Sequence, residues 1–225
     1  MLVKETDKIQ VYIYKIEIED TGHFTNTYVL KDKATNKLAV IDPAFDGLTI
    51  NQNIKKLGKL ECVIITHSHA DHIAGLAALV NNTDVKVYIH SLDKDGLYDG
   101  RLNEEQAVKT KVELVNNANV CNLFDNSTIL LGETEFKIMH TPGHTKGSII
   151  IYNIEEDVLF SGDTIFKTTY GRTDLISSSR EKMGRSLDKI FNNFMDISVY
   201  SGHGELFNLE SSKRRIKLLY ALKNS

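Results

Sequence analysis

One short segment of the sequence places three histidines and an aspartate within six residues, His67-Ser68-His69-Ala70-Asp71-His72. It follows the apolar run Cys62-Val63-Ile64-Ile65, which is typical of a buried strand. Imidazole nitrogens and carboxylate oxygens are ligands of zinc, and iron and manganese also accept them. Burying so many titratable groups without a partner would cost several kcal/mol each, and a bound metal removes that cost. The pattern predicts a metal site at the end of a strand.

Three later segments offer further ligands, and each of them follows an apolar run. They are Thr141-Pro142-Gly143-His144, Ser161-Gly162-Asp163 and Ser201-Gly202-His203-Gly204. Glycine beside a candidate ligand lets a strand turn sharply and aim the next side chain. Singly, such segments are ordinary turns. Together with the first segment they give an ordered set of seven candidate ligands, namely His67, His69, Asp71, His72, His144, Asp163 and His203.

The order of these ligands resembles the metallo-β-lactamase-fold hydrolase superfamily, over about residues 26–203. The resemblance implies an α/β fold, a four-layer αββα sandwich with two mixed sheets, helices outside and the site at one edge. It also implies how two metal ions would be held: His67, His69 and His144 on one, Asp71, His72 and His203 on the other, and Asp163 bridging them. Asp42, at the end of an earlier strand, is a candidate anchor for the loop of residues 67–72, here called the metal loop.

Length and composition fit a single domain over residues 1–225, with 41% hydrophobic and 25% charged residues. A net charge of −3 leaves no basic footprint, so no nucleic-acid partner is expected. The first residues lack the apolar core of a signal peptide, and no run approaches membrane-span length, so no membrane partner is expected. Two cysteines support no disulfide framework, and a cytoplasmic location is expected.

Local patterns predict the elements around the motifs. Alternation and apolar runs predict strands over 9–18, 26–30, 38–41, 62–66, 85–89, 128–131, 135–140, 148–152 and 157–161, with a turn at 21–23. Helical spacing predicts helices near 50–57, over 72–80, along 183–194 and near 216–220. The third of these has Ser178-x-x-Glu181 as a candidate capping box. The polar region 91–120 has the weakest pattern, and we expect it to be partly helical; the resemblance implies that it lies where members of the superfamily vary a substrate-facing loop.

Two divalent ions about 3.5–4 Å apart can share a water, lower its pKa and present a hydroxide to a carbonyl carbon. Asp71 is the candidate catalytic residue, because it could orient this hydroxide and accept its proton. We expect zinc, with iron or manganese as alternatives, since all three accept these ligand types.

Ligand identity separates branches of the superfamily. The chain has His69 where di-iron oxygen reductases usually carry Glu, and Asp163 where β-lactamases often carry Cys. Together with Gly171-Arg172-Thr173-Asp174, the ligand set resembles short glyoxalase II-like hydrolases. This implies a hydrolase acting on a small-molecule thioester, S-acylglutathione or a similar compound. Arg172 falls where that branch carries a loop lysine, and Tyr170 is a second candidate for substrate binding.

The same residues leave alternatives open. Asp174 replaces a loop tyrosine of true glyoxalase II, and the extra C-terminal helical domain of that enzyme is not expected, because the chain ends at Ser225. Arg172 could equally pair with Asp174 and brace the loop. The motifs are also similar to persulfide dioxygenases, in which a single iron would be held by His67, His144 and Asp163. A purely structural metal or a partner-binding module is disfavoured, because all seven candidate ligands are present. The thiol carrier and the oligomeric state are left open.

Overall fold

Two β-sheets form the centre of the fold. The computed structural model describes residues 1–17, 24–44, 47–108 and 112–222, and in these ranges the first sheet has seven strands in chain order and the second has six. The first sheet consists of β1 (Leu2–Glu5), β2 (Ile9–Glu17), β3 (Phe24–Asp32), β4 (Lys37–Ile41), β5 (Lys59–Ile65), β6 (Lys86–His90) and β7 (Asn119–Leu123). The second consists of β8 (Thr128–Leu131), β9 (Thr134–His140), β10 (Ile149–Asn153), β11 (Val158–Gly162), β12 (Ser198–Ser201) and β13 (Phe207–Asn208).

Strand directions bring several strand ends to one edge. In the first sheet β4, β5, β6 and β7 run parallel, whereas β1 to β4 pair antiparallel. In the second sheet β9 and β11 are both antiparallel to β10, and β12 is parallel to β11. Strands β9, β11 and β12 therefore point the same way. Carboxyl ends of parallel strands lie at a common edge, which is where α/β folds place their sites.

Helices cover the outer face of each sheet, which gives four layers. The first sheet is covered by α1 (Gly47–Ile54), α2 (Ala70–Ile73) and α3 (Leu76–Val80). The second is covered by α5 (Arg180–Asn193) and α6 (Leu209–Leu222). Between β6 and β7 the chain forms a 3₁₀ turn (Lys94–Leu97) and the short α4 (Glu105–Val108). The α/β sandwich with two mixed sheets and outer helices, predicted from the sequence, is confirmed.

Three clusters of buried apolar side chains hold these layers together. The central cluster lies between the sheets, where Tyr28 packs edge-on against Phe160 and Tyr200 with ring centroids 5.2 and 5.7 Å apart. Ile9, Val11 and Ile13 face the same space, as the two-residue period of a strand requires. The other two clusters lie between each sheet and its helices.

The helix predicted over 72–80 is instead two short helices, α2 and α3, divided at Gly75. The amide of Gly75 donates to the Pro43 carbonyl at 3.0 Å and so leaves the helical pattern. A Cβ at Gly75 would lie 2.2 Å from the Ala44 carbonyl oxygen. The close approach of the segment before α1 therefore ends α2 early, and only glycine fits there.

The capping residue of α5 is Ser179, so the assignment to Ser178 was wrong. Ser179 is extended (φ −154°) and its hydroxyl accepts from the Lys182 amide at 3.3 Å. The Ser178 hydroxyl is engaged in a local turn, where it accepts from the Leu175 amide at 2.9 Å and donates to the Leu175 carbonyl at 2.8 Å.

The short edge strands β1, β7 and β13 were not predicted, and each contains polar or half-exposed residues that weaken the strand pattern. Region 91–120 is partly helical as predicted, through α4 and the 3₁₀ turn. The turn predicted at 21–23 lies outside the described residues. No helix in the described ranges has both the length and the apolar composition needed to cross a membrane.

Replacement of Phe160 tests the central cluster. Phe160 is fully buried between the sheets, so Phe160→Ala should lower the free energy of unfolding by about 3–5 kcal/mol. The matched control is Phe124→Ala, because Phe124 is 56% exposed and such surface changes stay within about 0.5 kcal/mol. Denaturant unfolding of both variants measures the difference. Equal losses would contradict the packing described.

Candidate metal centre

All seven candidate ligands lie at the edge where the strand ends meet. Six of them supply nitrogen and oxygen atoms to two groups, and within each group the atoms lie within 4.8 Å of one another. One group, here the three-histidine cluster, consists of His67, His69 and His144. The other, here the mixed cluster, consists of Asp71, His72 and His203. Asp163 is the remaining candidate and lies between them.

Asp42 fixes the loop that follows β5. Its carboxylate accepts from the Thr66 amide at 2.7 Å, from the Thr66 hydroxyl at 2.6 Å and from His72 Nδ1, 3.0 Å away. These contacts account for its proximity to His67 and His72, with which it forms a third group of candidate ligand atoms. Asp42 therefore lies behind the site as an anchor, in the position that the sequence predicted. Metal-binding histidines commonly have such a carboxylate on the outer nitrogen.

The three-histidine cluster is buried and its rings contact one another. The His67 ring centroid lies 4.7 Å from that of His69 and 4.8 Å from that of His144. His67 Nδ1 lies 3.0 Å from the Thr66 hydroxyl, and His144 Nδ1 lies 3.0 Å from the carbonyl oxygen of Arg172. These outer contacts fix the ring orientations and turn both Nε2 atoms inward.

The electrostatics of this cluster favour uncharged rings. Burial disfavours the charged form, and the neighbouring imidazoles add to this effect. As a result the pKa of His67 lies well below its usual range, and the pKa of His69 is lowered to about 3. Both rings are neutral at pH 7, which is the form that binds a metal.

The mixed cluster has the opposite electrostatics. His72 Nε2 and His203 Nε2 are 3.3 Å apart, and the Asp71 carboxylate lies 3.2 Å from His203 Nε2. Burial disfavours protonated rings here too, but the nearby carboxylates of Asp71 and Asp163 outweigh it. They raise the pKa of His72 to about 9 and that of His203 to about 11. In the metal-free protein both rings therefore carry a second proton, and with it a positive charge, at pH 7.

Asp163 faces both clusters. Its Oδ2 atom lies 3.5 Å from His144 Nε2 and 3.3 Å from His203 Nε2. The preceding Gly162 has φ +47°, and a Cβ there would lie 2.4 Å from the Thr66 hydroxyl. Glycine is thus required for β11 to turn toward the metal loop and aim the carboxylate between the clusters.

The side chains at this edge fit two divalent ions. His67 Nε2, His144 Nε2 and Asp163 Oδ1 are buried and have no hydrogen-bond partner in the described part of the chain. Buried polar atoms are rarely left without a partner, and each of these points toward the other candidate ligands. Imidazole nitrogen with carboxylate oxygen is a donor set that suits zinc, iron or manganese.

The two candidate substrate-binding residues are placed differently from each other. The guanidinium of Arg172 is exposed and pairs with Asp174, with two contacts of 2.8 Å, while its carbonyl orients His144. The Tyr170 ring is only 6% exposed and packs in the cluster under α5 and α6, with Tyr220 5.7 Å away. Substrate binding by Arg172 or Tyr170 remains a prediction.

The start of β3 contributes contacts that the sequence reading did not find. The Thr25 hydroxyl donates to Asp71 Oδ2 at 3.1 Å, and the Asn26 side-chain amide donates to the Ser201 carbonyl at 3.0 Å. Thr25, Asn26 and Thr27 are buried, although they open an apolar strand. Consecutive polar residues at the start of a buried strand are the signal that could have indicated a site there.

The two clusters should release different numbers of protons when metal binds. A metal must displace the second protons of His72 and His203, whose pKa values are about 9 and 11. The metal affinity of the mixed cluster should therefore decrease as the pH is lowered and increase as the pH is raised toward these values. The neutral rings of His67 and His69 have no proton to release at pH 7. Calorimetric zinc titration of the metal-free protein, in buffers of different ionisation enthalpy, counts the protons at each step. Equal release at both steps would contradict these charge states.

Curated relatives include two with informative names. The protein named probable metallo-hydrolase YqgX of Bacillus subtilis (strain 168) is 32% identical over 167 residues, covering 73% of this chain and 79% of the relative. A hydroxyacylglutathione hydrolase of Psychromonas ingrahamii is 29% identical over 184 residues, covering 80% of this chain but 62% of the relative.

Solved structures give the same picture. The BLEG-1 B3 metallo-beta-lactamase has a TM-score of 0.79 at 28% identity and covers 89% of this chain and 95% of its own. The protein TTHA1623 in a di-iron-bound form has a TM-score of 0.79 at 25% identity, and the match covers 92% of this chain and 99% of TTHA1623. A family model described as the metallo-beta-lactamase superfamily matches residues 20–203. With this match across most of the sequence, and the histidine and aspartate clusters at the expected edge, the chain belongs to the metallo-beta-lactamase superfamily, whose members bind divalent metals.

Proposed function

We propose that the chain is a metal-dependent hydrolase that cleaves a small thioester, S-acylglutathione or a compound like it, with two divalent ions as cofactors. The observation that carries the proposal is the position of Asp163, whose carboxylate lies within 3.5 Å of His144 and His203, one from each cluster. A carboxylate so placed suits two ions side by side. Two such ions, zinc being the expected metal, would lower the pKa of a shared water and so supply hydroxide at neutral pH.

Asp71 is the residue best placed to handle the proton of the attacking water. Its Oδ2 atom accepts from the Thr25 hydroxyl and lies 3.2 Å from His203 Nε2, so its orientation is fixed. In thioester hydrolysis the water oxygen bonds to the carbonyl carbon and the carbon–sulfur bond breaks. The proton taken up at Asp71 can then pass to the leaving thiolate, which gives a carboxylic acid and a thiol.

Two features support a thioester as the substrate. Asp163 stands at the late ligand position where β-lactamases of this fold often carry cysteine, and the relative from Psychromonas ingrahamii is named a hydroxyacylglutathione hydrolase. The Arg172 guanidinium is 60% exposed and belongs to the segment whose carbonyl orients His144. A carboxylate of an anionic thiol carrier such as glutathione could displace the Asp174 carboxylate and bind this guanidinium in its place.

Hydrolysis of β-lactams is the second candidate, favoured by the 28% identity to the BLEG-1 B3 metallo-beta-lactamase. The first experiment therefore combines elemental analysis of metal content with two assays, one on S-lactoylglutathione and one on a chromogenic β-lactam. Close to two metals per chain with thioester turnover is the expected result. Turnover of the β-lactam without turnover of the thioester would refute the thioester proposal in favour of β-lactam hydrolysis. One iron per chain with oxygen uptake on glutathione persulfide would establish the dioxygenase alternative.

Loss of the shared carboxylate should remove both metal and turnover. Asp163→Ala deletes the side chain that faces both clusters. The loss of metal affinity and of activity should therefore exceed the roughly 10–100-fold loss that follows removal of an outer hydrogen-bond partner. Metal content per chain and kcat/KM on S-lactoylglutathione measure it. Asp157→Asn is the control, because Asp157 joins Ser198 and Lys4 at the opposite end of β11. Unchanged turnover in Asp163→Ala would refute the assignment.

Arg172→Ala should weaken binding of an anionic substrate and leave the chemical step intact. A hydrogen bond to a charged group contributes about 1.5–3 kcal/mol, so KM for S-lactoylglutathione should rise roughly 10–100-fold with little change in kcat. KM for a neutral thioester should not change. Arg185→Ala is the matched control, since Arg185 pairs with Glu181 on the exposed face of α5. If KM for S-lactoylglutathione is unaltered, Arg172 serves only to brace its loop.

A further inference from the structure

Asp93 is a buried carboxylate outside the candidate ligand set. It lies just after β6, is 4% exposed, and accepts three hydrogen bonds from two separate segments. One oxygen accepts from the Ser68 amide at 3.2 Å and from the Thr145 hydroxyl at 2.6 Å. The other accepts from the Gly147 amide at 2.7 Å. Both oxygens of the carboxylate therefore have hydrogen-bond partners, which lowers the cost of burying it.

Two of the three residues that donate to Asp93 are direct neighbours of candidate ligands. Ser68 lies between His67 and His69, and Thr145 directly follows His144. Consecutive Cα atoms are about 3.8 Å apart, so each donor moves together with the adjacent ligand. The two segments come from different sheets, one after β5 and the other after β9. Asp93 thus links the two halves of the three-histidine cluster.

The link is tight on both sides. A Cβ at Gly147 would lie 2.5 Å from Asp93 Oδ1, and a Cβ at Gly96 would lie 2.3 Å from the Ser68 hydroxyl. The turn that carries Asp93 is therefore in close contact with both segments. Small displacements of its carboxylate must be transmitted to them, because packed interiors leave no slack.

Other contacts join the same segments, so Asp93 is not needed to hold the sheets together. The Ile149 amide donates to the Thr66 carbonyl at 3.0 Å. The His90 ring stacks on the His140 ring with centroids 4.0 Å apart and an interplanar angle of 10°. Loss of Asp93 should therefore loosen the loop tips that carry the ligands and leave the sandwich folded.

We propose that Asp93 is a positioning residue that sets the distance between His144 and the His67–His69 pair, and thereby the metal affinity of the three-histidine cluster. This inference rests on the metal-binding role given to these histidines under the proposed function. Asp93 belongs to none of the groups of candidate ligand atoms, and acts through the two loops it joins. Outer partners of metal ligands commonly change metal affinity 10–100-fold. Because Asp93 acts one residue away from the ligands, we expect the lower end of that range.

The test is zinc affinity of the metal-free full chain, measured in competition with a chromophoric chelator. Asp93→Asn keeps the size of the side chain but turns one acceptor oxygen into a donor that faces an amide or hydroxyl donor. In a His203→Ala background, which isolates the three-histidine cluster, Asp93→Asn should weaken zinc binding about tenfold. Wild-type affinity at the three-histidine cluster would overturn the proposal.

A matched control separates positioning from stability. Asp32 is also a buried carboxylate that joins two segments, and it accepts from the Thr35 and Glu133 amides and from the Thr35 and Thr134 hydroxyls. It lies at the end of β3 opposite Thr25, seven residues or about 23 Å away along a strand. Asp32→Asn should lower the unfolding temperature of the metal-free chain without changing zinc affinity. An equal loss of affinity in Asp32→Asn would overturn the proposal, because stability alone would then explain both.

A second variant covers the case in which Asp93→Asn does not fold. Thr145→Val removes the hydroxyl donor and keeps the carboxylate, so it should also weaken zinc binding. Where Asp93→Asn folds, the variant with both changes should lose less zinc affinity than the two single losses added together. Unchanged affinity in Thr145→Val, with Asp93→Asn unfolded, would also overturn the proposal. The proposed function fails separately, when the wild-type chain binds no zinc. The positioning role fails when the wild type binds two ions and Asp93→Asn binds them equally well.

Discussion

Four imidazoles and two carboxylates are buried at the junction of two sheets beside the half-buried ring of His203, and the rest of the site follows from this concentration of titratable groups. In the metal-free protein, the mixed cluster is balanced by protons on His72 and His203 opposite Asp71 and Asp163. The three-histidine cluster has no such balance: the rings of His67 and His69 stay neutral, and Nε2 of His67 and of His144 has no hydrogen-bond partner among the described residues. Burial of unpaired polar atoms is unfavourable, so binding of a cation at this point would stabilise the fold as well as supply chemistry.

The geometry of the strands explains why such a cluster can be assembled at all. Every candidate ligand follows a strand that ends at the same edge, so four segments distant in sequence bring seven side chains together without long loops. What the strands do not fix is the exact aim of each ring. That is set by contacts to the outer nitrogens, with Asp42 on His72, Thr66 on His67 and the Arg172 carbonyl on His144. The backbone gives the approximate position and these partners give the orientation.

The layered fold was predicted from the order of strand and helix patterns together with the resemblance to the superfamily, whereas the grouping of the candidate ligands came from that resemblance alone. The metal loop has its ligands side by side after an apolar run, and Asp42 also ends a strand, so its anchoring position could be inferred. Thr25 and Asp93 could not be found this way, because their partners lie 46 and 25 to 54 positions away along the chain. Contacts of that kind depend on how the sheets pack, which no local pattern encodes.

The errors have the same physical origin. The helix over 72–80 was divided because the segment before α1 approaches Gly75 closely, which is a tertiary contact that helical periodicity does not record. Ser178 and Ser179 are equally good caps by composition, and the choice fell to Ser179 because Ser178 forms a turn with Leu175.

The charge states of the two clusters determine where protons compete with a metal ion. At neutral pH His67 and His69 have no proton on their inward nitrogens for an ion to displace, whereas the raised pKa values of His72 and His203 mean that protons compete with an ion at the mixed cluster. A cation held by the three-histidine cluster would lower the affinity of the nearby His203 for a proton, because like charges repel. Asp163 faces His144 and His203 together, so the two clusters would be coupled through a single carboxylate.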